Sequence, residues 1–110
     1  MAKIVNLTPH DVTLFVSDDR KVTFPSYAGV RPIPRVSSRT VSDGDIDGFP
    51  LTRTEYGEAE NLPEPSEGVW YIVSAMVAGR CPDRKDLIIP NEAVRDEGGR
   101  IIGCKSFGRI

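Results

Sequence analysis

The chain has 110 residues, a length that suits one hydrophobic core, so we predict a single domain over residues 1–110. Hydrophobic residues make up 39% and charged residues 27% of the sequence, which is typical of a globular protein and excludes a disordered tail or a fibrous repeat. The 14 basic and 16 acidic side chains give a formal net charge of -2, which argues against duplex nucleic acid as a partner.

The N-terminal segment has one Lys but no apolar run long enough for the core of a signal peptide. No stretch of the sequence approaches the roughly 20 apolar residues that are needed to cross a bilayer. These features predict a cytoplasmic protein with no membrane contact. In that reducing compartment, Cys81 and Cys104 are expected to be free structural thiols.

The first half of the chain predicts strands and one hairpin. Residues 3–7 and 11–16 are rich in β-branched and apolar side chains, and residues 21–24 alternate with period two after a polar turn, so residues 11–24 read as a β-hairpin. Pro32 and Pro34 interrupt residues 30–41, which favours a peripheral extended segment. Residues 42–48 predict a loop, and residues 49–62 predict a strand with a bulge near Gly57.

The second half predicts the buried part of the sheet. Residues 61–68 form a proline-rich loop, and the continuously apolar residues 69–73 predict a strand at the centre of the sheet. Residues 74–79 fit one helical turn capped by Ser74. Residues 87–89 predict a strand that ends at Pro90, and residues 93–107 a hairpin that turns at 96–99. The predicted fold is all-β and mainly antiparallel, a small barrel or sandwich of seven to eight short strands with at most one short helix.

No metal site or cofactor is predicted. Asp43, Asp45 and Asp47 resemble the opening of a calcium-binding loop, but the position of the bidentate Glu is occupied by Thr54. This departure favours a solvated acidic turn, with calcium as the alternative. The soft metal ligands are a single His and two Cys residues, isolated from one another in the sequence, and this spacing does not favour zinc.

The segment around His10 has two interpretations. His10 is the only side chain whose unperturbed pKa lies near neutrality, yet the sequence contains no Gly-x-Ser-x-Gly nucleophile turn, so no catalytic residue is predicted. Asn6, Thr8 and His10 either hydrogen-bond the connection between the first two strands or contact a ligand.

Ten of the 14 basic residues are Arg, whose planar fork binds phosphate or carboxylate groups in bidentate fashion. Arg35 follows a stiff proline segment and Arg84 lies in a tight loop, so both are expected to contact an anion. Trp70 and Tyr71 are expected to point to opposite faces of their strand, and Tyr71 is assigned to stack on a base. The candidate ligand-binding residues are Asn6, Thr8, His10, Arg35, Tyr71, Ser74, Arg84 and Asp86.

Residues 6–10 read Asn-Leu-Thr-Pro-His, and this opening resembles a family of small phage, prophage and bacterial proteins. The likeness continues through residues 34–36, 62–65, 71–75, 83–87 and 94–103, and so covers most of the chain. The acidic run at 43–48 departs from the family pattern. The resemblance implies a phage-type protein and no particular chemistry, so it adds a biological context and not a site.

In that context, the prediction is a non-enzymatic homo-oligomer that sequesters a small anionic immune signal, either a cyclic nucleotide or an ADP-ribose-type nucleotide. Such an anti-defence protein would act in the cytoplasm of the host cell. The first alternative is a structural or assembly protein of a phage or prophage, with no affinity for small molecules. The second is a phosphodiester hydrolase that uses His10 as acid and base.

Overall fold

The structure, a computed structural model, describes residues 2–109, of which 56% lie in strands and 6% in one short helix. The prediction of a β-rich chain with at most one short helix is confirmed. The elements in chain order are β1 (Lys3–Asn6), β2 (Val12–Ser17), β3 (Arg20–Phe24), β4 (Arg35–Ile46), β5 (Phe49–Glu60), β6 (Val69–Ile72), α1 (Ala75–Arg80), β7 (Leu87–Arg95) and β8 (Ile101–Gly108).

Six of the strands form one curled sheet, a half-barrel, in the order β1-β6-β7-β8-β2-β3. Its pairing is mixed, since β6 runs parallel to both β1 and β7, and β2 touches β8 in parallel at Leu14 and Cys104. The expectation of a mainly antiparallel sheet therefore holds only in part. The cause is α1, because the crossover from β6 through this helix returns the chain to the same end of the sheet and makes β7 parallel to β6.

The first and last strands of the curled sheet approach each other at one end. The Asn6 side chain donates a hydrogen bond of 2.8 Å to the carbonyl of Phe24, which ends β3. The backbone N–H of Tyr27 donates to the carbonyl of Asn6 over 3.1 Å, and Asn6 forms a bridge with Ser26. The loop after β3 thus ties the two outer strands together beside Asn6.

The hydrophobic core lies between this sheet and α1. The helix starts at Ser74, whose side chain accepts a hydrogen bond of 3.2 Å from the N–H of Val77, so the predicted N-cap is confirmed. Val77 and Ala78 are the buried helical residues, and they pack with buried side chains of β1, β6 and β7. The buried cluster consists of Val5, Leu7, Tyr71, Val73, Val77, Ala78 and Leu87.

Two predictions about individual strands are wrong. The strand at residues 69–73 is second from the edge of the sheet, and β7 and β8 lie nearer its centre. The strand that begins at Leu87 passes through Pro90 and continues to Arg95. Beyond Ile88, the only strand of the described residues that pairs with β7 is β8. A residue without an N–H is tolerated at Pro90 because one side of the strand is open there.

Strands β4 and β5 form a separate two-stranded hairpin, residues 35–60, which we call the arm. The loop predicted at residues 42–48 is instead the end of β4 followed by a two-residue turn. Asp47 and Gly48 both have positive φ angles, of 50° and 87°, the geometry that joins two strands through a type I′ turn. The predicted irregularity near Gly57 is confirmed, because the β4–β5 register shifts at that level.

The arm extends away from the curled sheet. Val36 and Ala59 at its base pack against the core, and Arg80 of α1 donates a hydrogen bond of 3.1 Å to the carbonyl of Gly57. Twelve-residue strands span about 40 Å at the usual rise per residue. The radius of gyration is 17.2 Å. A compact chain of this length would have about 13 Å.

Candidate functional site

The Asn-Leu-Thr-Pro-His segment is organised around the side chain of Asn6, which is 1% exposed. Its Nδ2 donates to the carbonyls of His10 and Phe24 at 2.9 and 2.8 Å. Its Oδ1 accepts from the N–H and the hydroxyl of Thr8 at 2.9 and 2.7 Å. An amide has two donor hydrogens and two acceptor lone pairs, so all of its capacity is used within the chain. The geometry of Asn6 favours a structural role over ligand contact.

Other predicted site residues are also occupied by local contacts. The Ser74 hydroxyl caps α1, and Arg35 forms an exposed ion pair of 3.2 Å with Glu60 at the base of the arm. The His10 side chain is exposed, and no hydrogen bond to its imidazole is seen within residues 2–109. A hydrolytic role for His10 would need a positioned nucleophile or metal beside it.

The strongest polar arrangement surrounds Arg84, in the loop between α1 and β7. Its Nε and Nη2 donate to the two carboxylate oxygens of Asp86, each at 2.8 Å, and Nη2 also donates to the carbonyl of Pro63 at 2.9 Å. The two side chains are only 21% and 17% exposed. Asp86 is itself anchored, because its carbonyl accepts from the N–H of Tyr71 over 2.8 Å. This loop is therefore held firmly to β6.

The ion pair shifts both protonation equilibria toward the charged forms. The hydrogen bond from Arg84 is the main reason that the pKa of Asp86 lies below its usual value, and partial burial opposes this effect. The same bond raises the pKa of Arg84. Three of the five guanidinium N–H groups are engaged, whereas the two on Nη1 make no hydrogen bond within residues 2–109. Arg84 thus has two donors left in a fixed position.

Arg84 lines a shallow cleft of about 60 Å³, with two further cations on its walls. Lys85 and Arg109 make no ion pair with the carboxylates of residues 2–109. The guanidinium of Arg109 also stacks on the indole of Trp70, with its central carbon 5.3 Å from the ring centroid. We call this the basic cleft, and it is lined by Ala78, Cys81, Pro82, Arg84, Lys85, Leu87 and Arg109.

The two aromatic residues of β6 do point to opposite faces, but the assignment of Tyr71 as the outward ring is corrected. Tyr71 is 5% exposed within the core, and its hydroxyl lies 3.4 Å from the carbonyl of Glu64. Trp70 is the half-buried ring on the other face, beside Arg109. Both residues are large and aromatic, so residue type does not predict which of the two faces the core. The register of β6 against its neighbouring strands decides it.

The predicted residues do not form a single site. Asn6 and Thr8 lie at the carboxyl end of β1, whereas Arg84 and Asp86 precede the amino end of β7. Because β1, β6 and β7 are parallel, these two groups of residues lie at opposite ends of the strands. Sequence reasoning missed Arg109, because its neighbour Trp70 is distant in the chain. Lys85 could have been predicted from its position between Arg84 and Asp86, but only Arg side chains were considered as anion ligands.

Within residues 2–109, no cluster of three or more His, Cys, Asp or Glu side chains has a metal-binding arrangement. The acidic residues of the former calcium candidate lie at the tip of the arm, where Asp43 faces Arg53 at 3.6 Å. None of the helical structure in the described chain is long and apolar enough to cross a membrane. Comparisons with family models, characterised proteins and solved structures give no match.

Proposed function

We propose that the protein is a non-enzymatic binding protein that holds a small anionic, nucleotide-like ligand at the basic cleft. The observation that carries this proposal is the state of Arg84. Asp86 and the carbonyl of Pro63 fix its guanidinium while two N–H groups on Nη1 remain available to a ligand. An anion bound there would meet donors whose orientation is already determined, which lowers the entropic cost of binding.

The charges around the cleft favour an anion with more than one acceptor. Arg84 is balanced by Asp86, so Lys85 and Arg109 supply the excess positive charge. A volume of about 60 Å³ suits a single phosphate or carboxylate group. The remainder of a larger ligand would lie outside the cleft, near Arg109 and the indole of Trp70. Aromatic and guanidinium planes of this kind are common supports for a nucleobase.

The class of ligand follows from this chemistry together with the resemblance to small phage proteins. We propose a cyclic nucleotide or an ADP-ribose-type nucleotide, sequestered intact to suppress an immune signal of the host. Sequestration needs affinity and slow release but no catalytic group, in keeping with a cleft formed by cations and apolar side chains.

The only Trp of the chain lies beside the cleft, so its fluorescence reports binding directly. ADP-ribose, cyclic dinucleotides and inorganic phosphate would each be titrated while the emission of Trp70 is followed. Binding of a nucleotide in the micromolar range is the expected result. The double substitution Lys85→Gln with Arg109→Gln should weaken it by about 100-fold or more, since each of the two charged hydrogen bonds contributes about 1.5–3 kcal/mol.

The matched control is Arg100→Gln with Lys105→Gln, which removes one Arg and one Lys from exposed positions outside the cleft. It should leave the affinity unchanged. Mass spectrometry of the recovered nucleotide distinguishes sequestration, which returns it intact, from the hydrolase alternative. An equal loss of affinity in both double variants would mean general charge attraction and would refute the cleft as the site.

The arm favours a second candidate, a structural or assembly protein. Ile46 and Phe49 at its tip are 58% and 72% exposed, and apolar side chains clustered at a protruding tip are typical of an interaction surface. If no nucleotide or phosphate changes the emission of Trp70, the assembly function becomes the better explanation, and capture of phage structural proteins by the arm would test it.

A further inference from the structure

Each strand of the arm has one open edge within the described chain. The two strands pair with each other and with no third strand, so one row of backbone N–H and C=O groups on each is open. An isolated two-stranded hairpin is only marginally stable in water, and open edges commonly pair with another chain. An arm of twelve-residue strands is therefore expected to have a partner.

The charges of β4 are arranged with opposite signs at its two ends. Arg35 and Arg39 lie in the first part of the strand, and Asp43, Asp45 and Asp47 lie in its last part and in the turn. Val41 stands midway between Arg39 and Asp43, and alternation along the strand places Arg39 and Val41 on one face, while Asp43 begins the register irregularity between Ser42 and Asp45. The neighbours on β5 are oppositely charged, since Glu55 contacts Arg39 and Arg53 contacts Asp43.

We propose that the β4 edge pairs antiparallel with the β4 edge of a second copy, about a two-fold axis at Val41. This register places Arg39 opposite Asp43 of the second copy, and the symmetry repeats that contact. It also places Thr40 opposite Ser42 and Val41 opposite its own equivalent. Opposite charges, hydroxyl pairs and β-branched residues are all favourable in directly facing positions of an antiparallel pair.

The β4 registers centred one and two residues earlier are less favourable. Centring the pair on Arg39 would set two guanidinium groups against each other, and centring it on Thr40 would set Arg39 against Val41. Like charges in facing positions destabilise a strand pair. On β5, pairing about Thr54 would bring the acidic turn of one arm toward Glu60 of the other, whereas pairing along β4 brings it toward Arg35. The charge pattern therefore selects the β4 edge.

The proposed pairing also provides cover for the tip of the arm. With Val41 at the centre, the tip of one arm points toward the base of the opposite arm, and the register irregularities of β4 between Val36 and Ser38 and between Ser42 and Asp45 fall outside the central pairs. The exposed side chains of Ile46 and Phe49 would then lie against the partner and not in water. A four-stranded sheet would replace two marginal hairpins. Contact with a second copy would account for the apolar and acidic side chains at the tip, which lies far from the core of its own chain.

Sedimentation velocity over a concentration series tests the proposal through two charge reversals. Arg39→Asp places two acidic residues in facing positions, and Asp43→Arg places two basic ones there, so each variant should be a monomer under conditions in which the unmodified chain is a dimer. Mixing the two variants restores both opposite-charge contacts, because the edge that carries two acidic residues then faces the edge that carries two basic ones. We expect the mixture to form a heterodimer.

The matched control is Arg100→Asp, an exposed reversal outside the arm, which should leave the dimer intact. Each arm variant also loses one contact within its own hairpin, and mixing does not repair those contacts. Recovery on mixing therefore reports the pairing between copies and not the folding of one arm. A monomeric unmodified chain, a dimer that survives either single reversal, or a mixture that remains monomeric would overturn the proposal. None of these results depends on ligand binding at the basic cleft.

Discussion

The curled sheet and the arm differ in the interactions that stabilise them. All the fully buried apolar side chains of the described chain lie in the curled sheet, in its helix or directly after its strands, among them Val5, Ile72 and Val77. The arm has no fully buried residue along its two strands. Its cross-strand contacts include the ion pairs Arg39–Glu55 and Arg35–Glu60, both on exposed surface. Exposed pairs contribute about 0–1 kcal/mol each.

This difference implies that the two regions respond differently to substitution. Changes in the sheet act on a shared core and should lower the stability of the whole domain. Changes in the arm should affect local opening and the association of chains, while the rest of the molecule remains folded. The predictions below test that division, from the largest expected effect to the smallest.

Asn6→Ala should produce the largest loss. It removes four hydrogen bonds from a buried position and leaves the carbonyls of His10 and Phe24 without this donor. We expect a loss of about 3 kcal/mol in the free energy of unfolding, measured by urea denaturation. Asn91→Ala, at an exposed position on β7, is the control and should change stability little. A small effect at Asn6 would contradict its role as the tie between the outer strands.

Gly103→Ala tests the contact between the two halves of the sheet. A Cβ at this position would lie 2.6 Å from the carbonyl oxygen of Thr13 and within 2.5 Å of the ring of Phe15. The backbone oxygen cannot move without shifting β2 away from β8. The expected loss is about 2 kcal/mol in the same denaturation experiment. An unchanged midpoint would show that β2 and β8 separate without cost.

Asp86→Asn should lower stability by about 1–2 kcal/mol near neutral pH, because it removes a charged hydrogen-bond acceptor from Arg84. The folded chain depresses the pKa of Asp86, so this contribution is fully present above the unfolded pKa of about 4. It is lost as the pH falls through the lower, folded-state pKa. The difference in the free energy of unfolding between the unmodified protein and Asp86→Asn should therefore be constant from pH 5 to 8 and shrink below about pH 4. Asp83→Asn, in the same loop but exposed, is the matched control and should change the stability little at neutral pH.

Gly48→Ala tests the arm. Gly48 has a φ angle of 87°, which strains an L-residue, although no atom of the described residues lies within 4 Å of the added Cβ. The strain costs about 1 kcal/mol, and we expect it to appear as faster hydrogen exchange of arm amides. The thermal midpoint of the sheet should change by less than about 2 °C. Cooperative loss of the whole fold would mean that arm and sheet are one folding unit.

Gly79→Ala should give the smallest effect and the opposite sign. Gly79 lies in α1 with an ordinary helical backbone, and within residues 2–109 no atom lies within 4 Å of an added Cβ. Replacing a helical Gly by Ala stabilises by about 0.5–1 kcal/mol. A gain in the free energy of unfolding would confirm that α1 is formed in the isolated protein.

Much of the local structure could be predicted from the sequence. The hairpin at residues 11–24, the cap at Ser74 and the irregularity near Gly57 all follow from short-range patterns, and the structure contains each of them. The turn at Asp47 and Gly48 was also readable, since Asp-Gly is a strong signal for a tight hairpin. It was missed because the acidic residues before it indicated a loop.

The candidate site was less predictable. The tight loop that holds Arg84 and Asp86 is local in sequence, and its rigidity was expected. The other walls of the basic cleft come from the helix, the residues after it and Arg109 just after β8, and the pairing of β7 with both β6 and β8 brings them together. Tyr71 and Asn6 were assigned to a ligand on the basis of residue type, and burial places both inside the molecule.

By itself, the sequence determined the β-rich composition of the fold, most turns and the stiff loop around Arg84, because these depend on residues that are close along the chain. Only the tertiary structure decided that β6 and β7 are parallel, that the arm stands apart, and which cations share a cleft. Those features depend on pairings between distant strands. Short-range preferences for strand and turn are the same for many such pairings, and the burial of the common core selects one of them.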